Sequence, residues 1–572
     1  MQQGQLKPGR AELRDVCRGR RYVLGAAFLF SVVFNLLMLT GPLYMLQIYD
    51  RVLSSRSEHT LIALSGLALF IFLIMGVLDH ARGRLLARIG VGFQEQLQRR
   101  VFIAALRGPG GSPGRGAGPR DLFAIQGLLS SPAALAVMDL PWSPVFLASI
   151  FIFHPMLGYL ALAGSAILLF VTYLNHRLTR QAGDETAGRA DQLYNTIMTE
   201  AETARGLGML ASGFESWENL HIRDREKTLS KNDLSGTLFT LARTLRLILQ
   251  SAMLGLGAYL VLQGELTAGA MIAASILMGR ALAPIEATVS HWPVIERARS
   301  GWQRLEQLLS NFPAPKPHTP LPRPEAHLSC EQLTVIPPGE SQARLRMLSF
   351  EVKPGTALGV LGPSGSGKST LAKALIGVWP AAGGGIRLGG ARLEQYDENT
   401  RATHIGYLPQ HVAFFEGTIA ENIARLKSDA SPSDIIAAAR TAGAHDLILR
   451  QPNGYDTMLS AASKRLSGGE RQRIGLARAL FGNPIIVVMD EPNASLDNEG
   501  SKALNASIQA IKATGSSVVL MTHRPSAITQ CEHLLVLKGG VRTAFGPRLE
   551  VLGTAVANAM QIADRKGPAA AI

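Results

Sequence analysis

Gly362-Pro363-Ser364-Gly365-Ser366-Gly367-Lys368-Ser369-Thr370 follows the apolar run Ala357 to Leu361 and opens a helical pattern, Leu371 to Val378. A strand, a glycine-rich turn and a helix in that order make a P-loop. Its glycines let backbone N–H groups curl around phosphate oxygens, and the helix N-terminus adds partial positive charge. In this spacing Lys368 is expected to reach the β- and γ-phosphates and Ser369 to ligate Mg²⁺. A purely structural glycine turn is the rival reading of the same residues.

Outward from this loop, Ile485-Ile486-Val487-Val488-Met489-Asp490-Glu491 reads as a buried parallel strand ending in two carboxylates. It would place them at the edge where open α/β sheets bind ligands. Alone it is equally a strand ending in a polar turn; beside a P-loop, Asp490 becomes the expected Mg²⁺ partner and Glu491 the candidate base for the attacking water. In Leu466-Ser467-Gly468-Gly469-Glu470-Arg471-Gln472, Ser467 and Glu470 stand at the capping-box spacing for a helix running to about Leu480. Capping explains those two residues. It does not explain Gly468 and Gly469, which would leave a bare helix N-terminus able to receive another phosphate. Arg471, Arg473 and Arg478 read as a solvated helical face.

The region before this α/β part is of a different kind. Of 572 residues, 47% are hydrophobic and only 17% charged, against about 25% charged in an average soluble protein. Six basic residues, Lys7, Arg10, Arg14, Arg18, Arg20 and Arg21, precede an apolar run from Tyr22 to Met45. That run exceeds the apolar core of a secretory signal, about 7–15 residues, so a retained first span with a cytoplasmic N-terminus is expected. Further apolar stretches lie at Leu61 to Leu78, Val145 to Phe153, Met156 to Leu174, Leu247 to Leu262 and Ala268 to Leu282. Asp139, Pro141 and Pro144 crowd the start of the third, which is expected to begin nearer Leu135. The connections Tyr49 to Thr60, His154 to Pro155 and Gln263 to Leu266 are short, whereas 79–142 and 176–240 are long and arginine-rich and so face the cytoplasm.

Within the long connections, Asp79 to Arg107 and Arg180 to Thr240 read as polar helices that continue the spans, and Gly108 to Arg120 as a turn or flexible insert. Six prolines between Phe312 and Pro324 mark an extended linker. The net charge of +14 is read as cytoplasmic loop charge, with no nucleic-acid partner. Cys17, Cys330 and Cys531 have neither disulfide nor metal spacing. Asn35 and the arginines at 82, 84 and 88 are candidates for a polar path, with helix–helix hydrogen bonding or a solvated face as the plainer reading.

The signature Leu466 to Gln472, with the P-loop before it and the Asp490-Glu491 strand after it, resembles the ATP-binding-cassette ATPases across the whole soluble half. The resemblance implies nucleotide contacts for Gly362, Pro363, Ser364, Gly365, Ser366, Gly367, Lys368, Ser369, Thr370, Ser467, Gly468, Gly469 and Asp497. It implies catalytic roles for Glu491, His523 and Gln410, and Mg²⁺ held by Ser369, Gln410 and Asp490. Two cassettes of that family sandwich two ATP molecules, which implies a homodimer. Two departures stand out: Thr334-Val335-Ile336-Pro337 supplies no aromatic residue for the adenine, leaving an aliphatic base contact and modest selectivity as the expectation, and Ala494 replaces a common serine.

The implied fold class is multi-domain, a six-helix α-helical transmembrane exporter domain plus an α/β P-loop nucleotide-binding domain. Its expected divisions are a cytoplasmic segment 1–21, the membrane domain 22–311, the linker 312–325, the cassette 326–566 and a tail 567–572. Coupling segments are expected near Arg107 to Arg120 and Arg205 to Gly213.

Gly41-Pro42-Leu43-Tyr44-Met45-Leu46-Gln47-Ile48-Tyr49-Asp50-Arg51-Val52-Leu53, with Asp139-Leu140-Pro141-Trp142-Ser143-Pro144, narrows the resemblance. These stretches look like ATPase subunits of bacterial type I secretion systems that lack an N-terminal peptidase domain. That implies an inner-membrane location and, as partners, a periplasmic adaptor, an outer-membrane channel, membrane lipid and an unfolded secreted protein with a C-terminal signal. An exporter of lipids or small molecules has the same architecture and stays open on the residues alone. A soluble cassette ATPase is opposed by the apolar spans, and a regulatory cassette by the presence of Lys368 and Glu491.

Overall fold

The computed structural model describes residues 8–108, 118–179, 185–314, 319–459, 466–494, 496–522 and 528–553. They form two compact units, divided between Pro315 and Lys316.

The first unit is helical and holds six helices long and apolar enough to cross a membrane: Arg21–Ser55, Glu58–Arg107, Pro132–Phe153, Pro155–Asn175, Asp233–Leu262 and Ala268–Ser290. Two belong to much longer helices. Glu58–Arg107 has 50 residues and Leu210–Leu262 has 53, about 75–80 Å each at the α-helical rise, more than twice the hydrocarbon thickness of a bilayer. Their apolar ends can be immersed only if their polar ends project well beyond the lipid.

Two expectations about connections are corrected. Tyr49 to Thr60 is mostly helical: the first span passes through a π-helical turn, Ile48–Val52, and a short helix, Leu53–Ser55, before Ser57 caps the next span by accepting from the Thr60 N–H. Asp50 on the π turn accepts from Thr267 Oγ1 at 2.7 Å and from the Gly269 N–H at 3.0 Å, so it caps the start of the sixth span from the first. A Cβ at Gly269 would lie 2.6 Å from Asp50 Oδ1 and 2.8 Å from the Leu46 carbonyl. Gly269→Val is therefore expected to destabilise the unit by about 1–3 kcal/mol through overpacking, read as a lower thermal midpoint in detergent; an unchanged midpoint would show that the two spans part freely. The second correction concerns Gly108 to Arg120. Pro119 and Arg120 already belong to the helix Pro119–Leu129, because proline is preset for a first helical position and Asp121 accepts from the Gly118 N–H at 3.1 Å. Residues 109–117 of that stretch lie outside the described residues.

The third span starts at Pro132 and is broken into Pro132–Asp139, a 3₁₀ turn Leu140–Trp142 and Ser143–Phe153. Pro141 and Pro144 lack the N–H groups that a continuous helix would need there, and the turn is the result. At the break, Asp139 accepts from Arg82 Nη1 at 2.5 Å and Nη2 at 3.0 Å, from Ser31 Oγ at 2.9 Å and from Asn35 Nδ2 at 2.8 Å. Arg82 also donates from Nε to Asp79 at 2.8 Å and lies 3.8 Å over the Phe34 ring. The first three spans thus share one buried polar centre. Arg84 and Arg88, singled out with Arg82, are exposed.

Elsewhere in the unit, Arg304 holds Asp121 at 2.6 Å, joining Trp292–Asn311 to Pro119–Leu129, and the helix Pro8–Arg18 packs on Trp292–Asn311.

The second unit is α/β. Its six-stranded sheet runs from Val541–Pro547 through His533–Lys538, Ala357–Leu361, Ser517–Met521 and Ile486–Asp490 to Ile405–Leu408. All neighbours are parallel except the first pair. The expected apolar strands are buried on both faces: Val487, Met489, Val518 and Leu520 enter one core, Ile486, Val488, Val519 and Met521 the other. Helix-covered parallel strands must read as continuous apolar runs for this reason. A separate four-stranded sheet of Leu328–Val335, Leu345–Val352, Gly383–Leu388 and Ala391–Arg392 closes over the second core.

Candidate functional site

Parallel strands point the same way, so the residues that follow them gather at one edge. Gly362 follows Ala357–Leu361, Glu491 follows Ile486–Asp490, Thr522 follows Ser517–Met521 and Pro409-Gln410 follow Ile405–Leu408. Register carries this through: Val360 pairs with Met521, Met521 with Asp490, and Leu408 with Met489. Motifs more than a hundred residues apart are thereby brought to the carboxyl edge of the sheet, where open α/β sheets take ligands.

A cleft of about 240 Å³ opens there, lined by Ser364, Gly365, Gly367, Lys368, Ser369, Thr370, Gln410 and Glu491, together with Pro337, Glu340, Arg344 and Trp379. Gly367, at φ +102°, turns the chain into the helix Lys368–Leu375, a conformation that a side chain would strain. Lys368 is buried, and its ammonium donates to the carbonyls of Gly362 at 2.8 Å and Pro363 at 3.1 Å, 4.0 Å from Glu491 Oε1. Gln410 Nε2 donates to Glu491 Oε2 at 3.0 Å.

Glu491 has φ +50°, a region that non-glycine residues adopt rarely and at a cost of about 1–3 kcal/mol. The surroundings hold it there: its N–H donates to the Met521 carbonyl at 2.9 Å and its own carbonyl accepts from the Ala494 N–H at 3.2 Å. The strain aims a carboxylate into the cleft that an extended backbone would carry along the strand direction. Asp490 is 2% exposed, and among the described residues its Oδ1 has no hydrogen-bond partner. Burial pushes its carboxyl above the ordinary range, while the Ser369 hydroxyl bonded to it pulls the other way. A buried, half-satisfied carboxylate beside a serine hydroxyl is the donor set that suits a hard divalent cation.

The P-loop segment falls inside the match of residues 345–494 to the ABC transporter family, and residues 120–283 match the ABC transporter transmembrane region. The type I secretion system ATP-binding protein PrsD of Rhizobium meliloti is 42% identical over 95% of this chain and 94% of its own length. This chain belongs to the ABC transporters of type I secretion. The exporter is also 28% identical, over 91% of its length and 74% of the relative's, to the cyclolysin secretion/processing ATP-binding protein CyaB of Bordetella pertussis. A bacterial Atm1-family ABC exporter solved with ATP bound shares its fold, with a TM-score of 0.79 over 96% of this chain and 99% of the other, at 21% identity. The exporter is accordingly a membrane protein that binds nucleotide and couples ATP hydrolysis to transport.

Not every residue singled out in its sequence enters the cleft. Ser467 forms the capping box with Glu470, accepting from its N–H at 3.3 Å and donating its own N–H to Oε2 at 2.8 Å. Gly468, next in the chain, is exposed and Gly469 half-buried, so the start of the helix Gly468–Leu480 is open to a ligand from outside the chain's own cleft. Asp497 accepts from the Gly500 N–H at 2.7 Å and caps Asn498–Ala513. His523 lies outside the described residues. Pro337, from the stretch expected to contact the base, lines the cleft, as do Glu340, Arg344 and Trp379, which were not singled out because they sit in stretches with no motif spacing.

Proposed function

We propose that this exporter is the inner-membrane ATPase of a type I secretion system, working as a homodimer that moves an unfolded protein carrying a C-terminal signal. The observation that carries the proposal is the near full-length relationship to PrsD combined with a complete P-loop and strand-end carboxylate pair. The proposed divisions are 1–21, the membrane domain 22–311, the linker 312–325, the cassette 326–566 and the tail 567–572. The N-terminus and cassette face the cytoplasm, a reading supported by the arginine-rich long connections. Its partners are a periplasmic adaptor, an outer-membrane channel and the surrounding lipid.

In the cassette, Gly362 through Thr370 cradle the triphosphate, with Lys368 turning from the loop carbonyls to the β- and γ-phosphates. Ser369, Asp490 and Gln410 would hold Mg²⁺, which when bound neutralises charge on the β- and γ-phosphates. Glu491 takes the proton of the attacking water, and Gln410 and His523 contact the γ-phosphate. The exposed Ser467-Gly468-Gly469 helix start closes over the nucleotide of a second copy, and Asp497 borders that junction. Only two chains then complete two sites.

Reconstitution of secretion tests this. Co-expression with an adaptor, a channel and a repeat-containing cargo is expected to place the cargo in the medium, and removal of the cargo's C-terminal segment to abolish it. Export that persists without the adaptor, or ATPase activity stimulated by lipid and indifferent to cargo, would transfer the assignment to a lipid or small-molecule exporter.

A further inference from the structure

The cleft has two ends. Glu491 and Gln410 follow the strands Ile486–Asp490 and Ile405–Leu408, on one side of the P-loop strand. On its other side lies His533–Lys538, which leads into Gly539-Gly540. There the Gly540 N–H donates to the Ser366 carbonyl at 3.2 Å, and the Arg346 N–H donates to the Gly540 carbonyl at 2.9 Å. A further backbone bond, from the Arg344 N–H to the Val335 carbonyl at 2.9 Å, fixes the segment between the strands Leu328–Val335 and Leu345–Val352. Arg344 is thus tied to the P-loop through backbone, on the side opposite the two groups placed at the γ-phosphate. A nucleoside triphosphate with its terminal phosphate at Glu491 must extend its base toward Pro337, Glu340 and Arg344.

Among the described residues, no aromatic side chain lines that end. Trp379, the cleft's aromatic residue, follows the far end of the P-loop helix and carries the Lys373 ammonium 4.4 Å from its ring centre. Arg344 instead presents a planar guanidinium, held by Glu340 through two bonds of 2.6 and 3.0 Å, which lowers the Glu340 pKa and raises that of Arg344. Flat guanidinium groups stack on nucleobases, and fixing the plane beforehand reduces the entropy lost on binding.

The geometry points to Arg344, oriented by Glu340, as the stacking platform for the nucleotide base. It replaces an aromatic ring and reads the π-face of the base, so purines are accepted alike. This rests on the assignment of the cleft as the nucleotide site, and the test separates the two.

The full-length protein in detergent is titrated with a non-hydrolysable ATP analogue and with inorganic tripolyphosphate, which has the phosphates and no base. Arg344→Ala is expected to weaken the analogue about tenfold and to leave tripolyphosphate within about twofold. Arg344→Tyr retains analogue binding, Arg344→Lys behaves like alanine, and a guanosine analogue loses as much as the adenosine one. Arg344 is 56% exposed, so these variants leave the core intact. Equal losses for both ligands would make Arg344 a phosphate contact and overturn the inference. So would a tyrosine variant as weak as alanine, or a base-dependent loss from Trp379→Leu with none from Arg344→Ala. Analogue binding unaffected by Lys368→Ala would overturn the nucleotide site itself, and the base platform with it.

Discussion

Glu491→Gln is expected to lower ATP turnover by about 10²–10⁴-fold, the usual contribution of a general base, and to abolish export while ATP still binds. The carboxylate is placed for proton transfer: Gln410 Nε2 holds Oε2 at 3.0 Å and the Lys368 ammonium stands 4.0 Å from Oε1. The glutamine amide has the same shape, can still accept the Gln410 bond through its oxygen, and inherits a backbone held at φ +50° by the Met521 and Ala494 bonds. What is removed is the proton-accepting function, together with the charge that faces Lys368 at 4.0 Å. Turnover and nucleotide affinity, measured on the same preparation, check the two halves. Hydrolysis at the unmodified rate would mean that another group accepts the proton, and weakened binding would mean that Glu491 matters for the ground state.

Arg82→Met is expected to cost the membrane unit about 3–5 kcal/mol, the usual penalty for breaking a buried ion pair from one side. The arginine side chain is 4% exposed and that of Asp139 13%. Without Arg82, Asp139 keeps, among the described residues, Ser31 and Asn35 as donors, which are 0% and 2% exposed and cannot neutralise it. Replacing both charges, as Arg82→Met with Asp139→Leu, is expected to recover most of the loss, because apolar substitutes for a buried pair are often neutral or better. Thermal midpoints in one detergent decide the matter. If single and double variants fall equally, the harm lies in lost packing over Phe34, and the charge pair contributes little.

Glu491 and Arg82 also mark how far the sequence could be read. Glu491 was legible because an unbroken apolar strand closing on two carboxylates, in a chain with a P-loop, puts them at the carboxyl edge of the sheet. Asn35 and Arg82 were noticeable as polar residues in apolar surroundings, yet their common partner Asp139 is 104 and 57 residues away. The stretch Tyr49 to Thr60 read as a connection because serines and charges interrupt the apolar pattern. It is mostly helical because Asp50 finds its partners on the sixth span, more than 200 residues along the chain. The P-loop helix, the capping box at Ser467 and the buried strands were legible for the opposite reason: their determining contacts lie within a few residues.

The sequence by itself determined the division of labour, with apolar spans for the membrane and a glycine-lysine-serine loop for phosphate. Hydropathy, turn chemistry and capping act over one or two turns of chain, and a single sequence displays them directly. Only the tertiary structure decided which distant groups meet. Strand order placed Glu491 and Gln410 on one side of the P-loop and Gly540 on the other. Packing of the first three spans chose Asp139 for Arg82. Backbone bonds through Gly540 carried Arg344, from a loop without a motif, to the cleft at the carboxyl edge of the sheet. Such meetings depend on the relative placement of whole elements, which is set by the summed burial of their apolar faces and not by the residues that happen to be brought together.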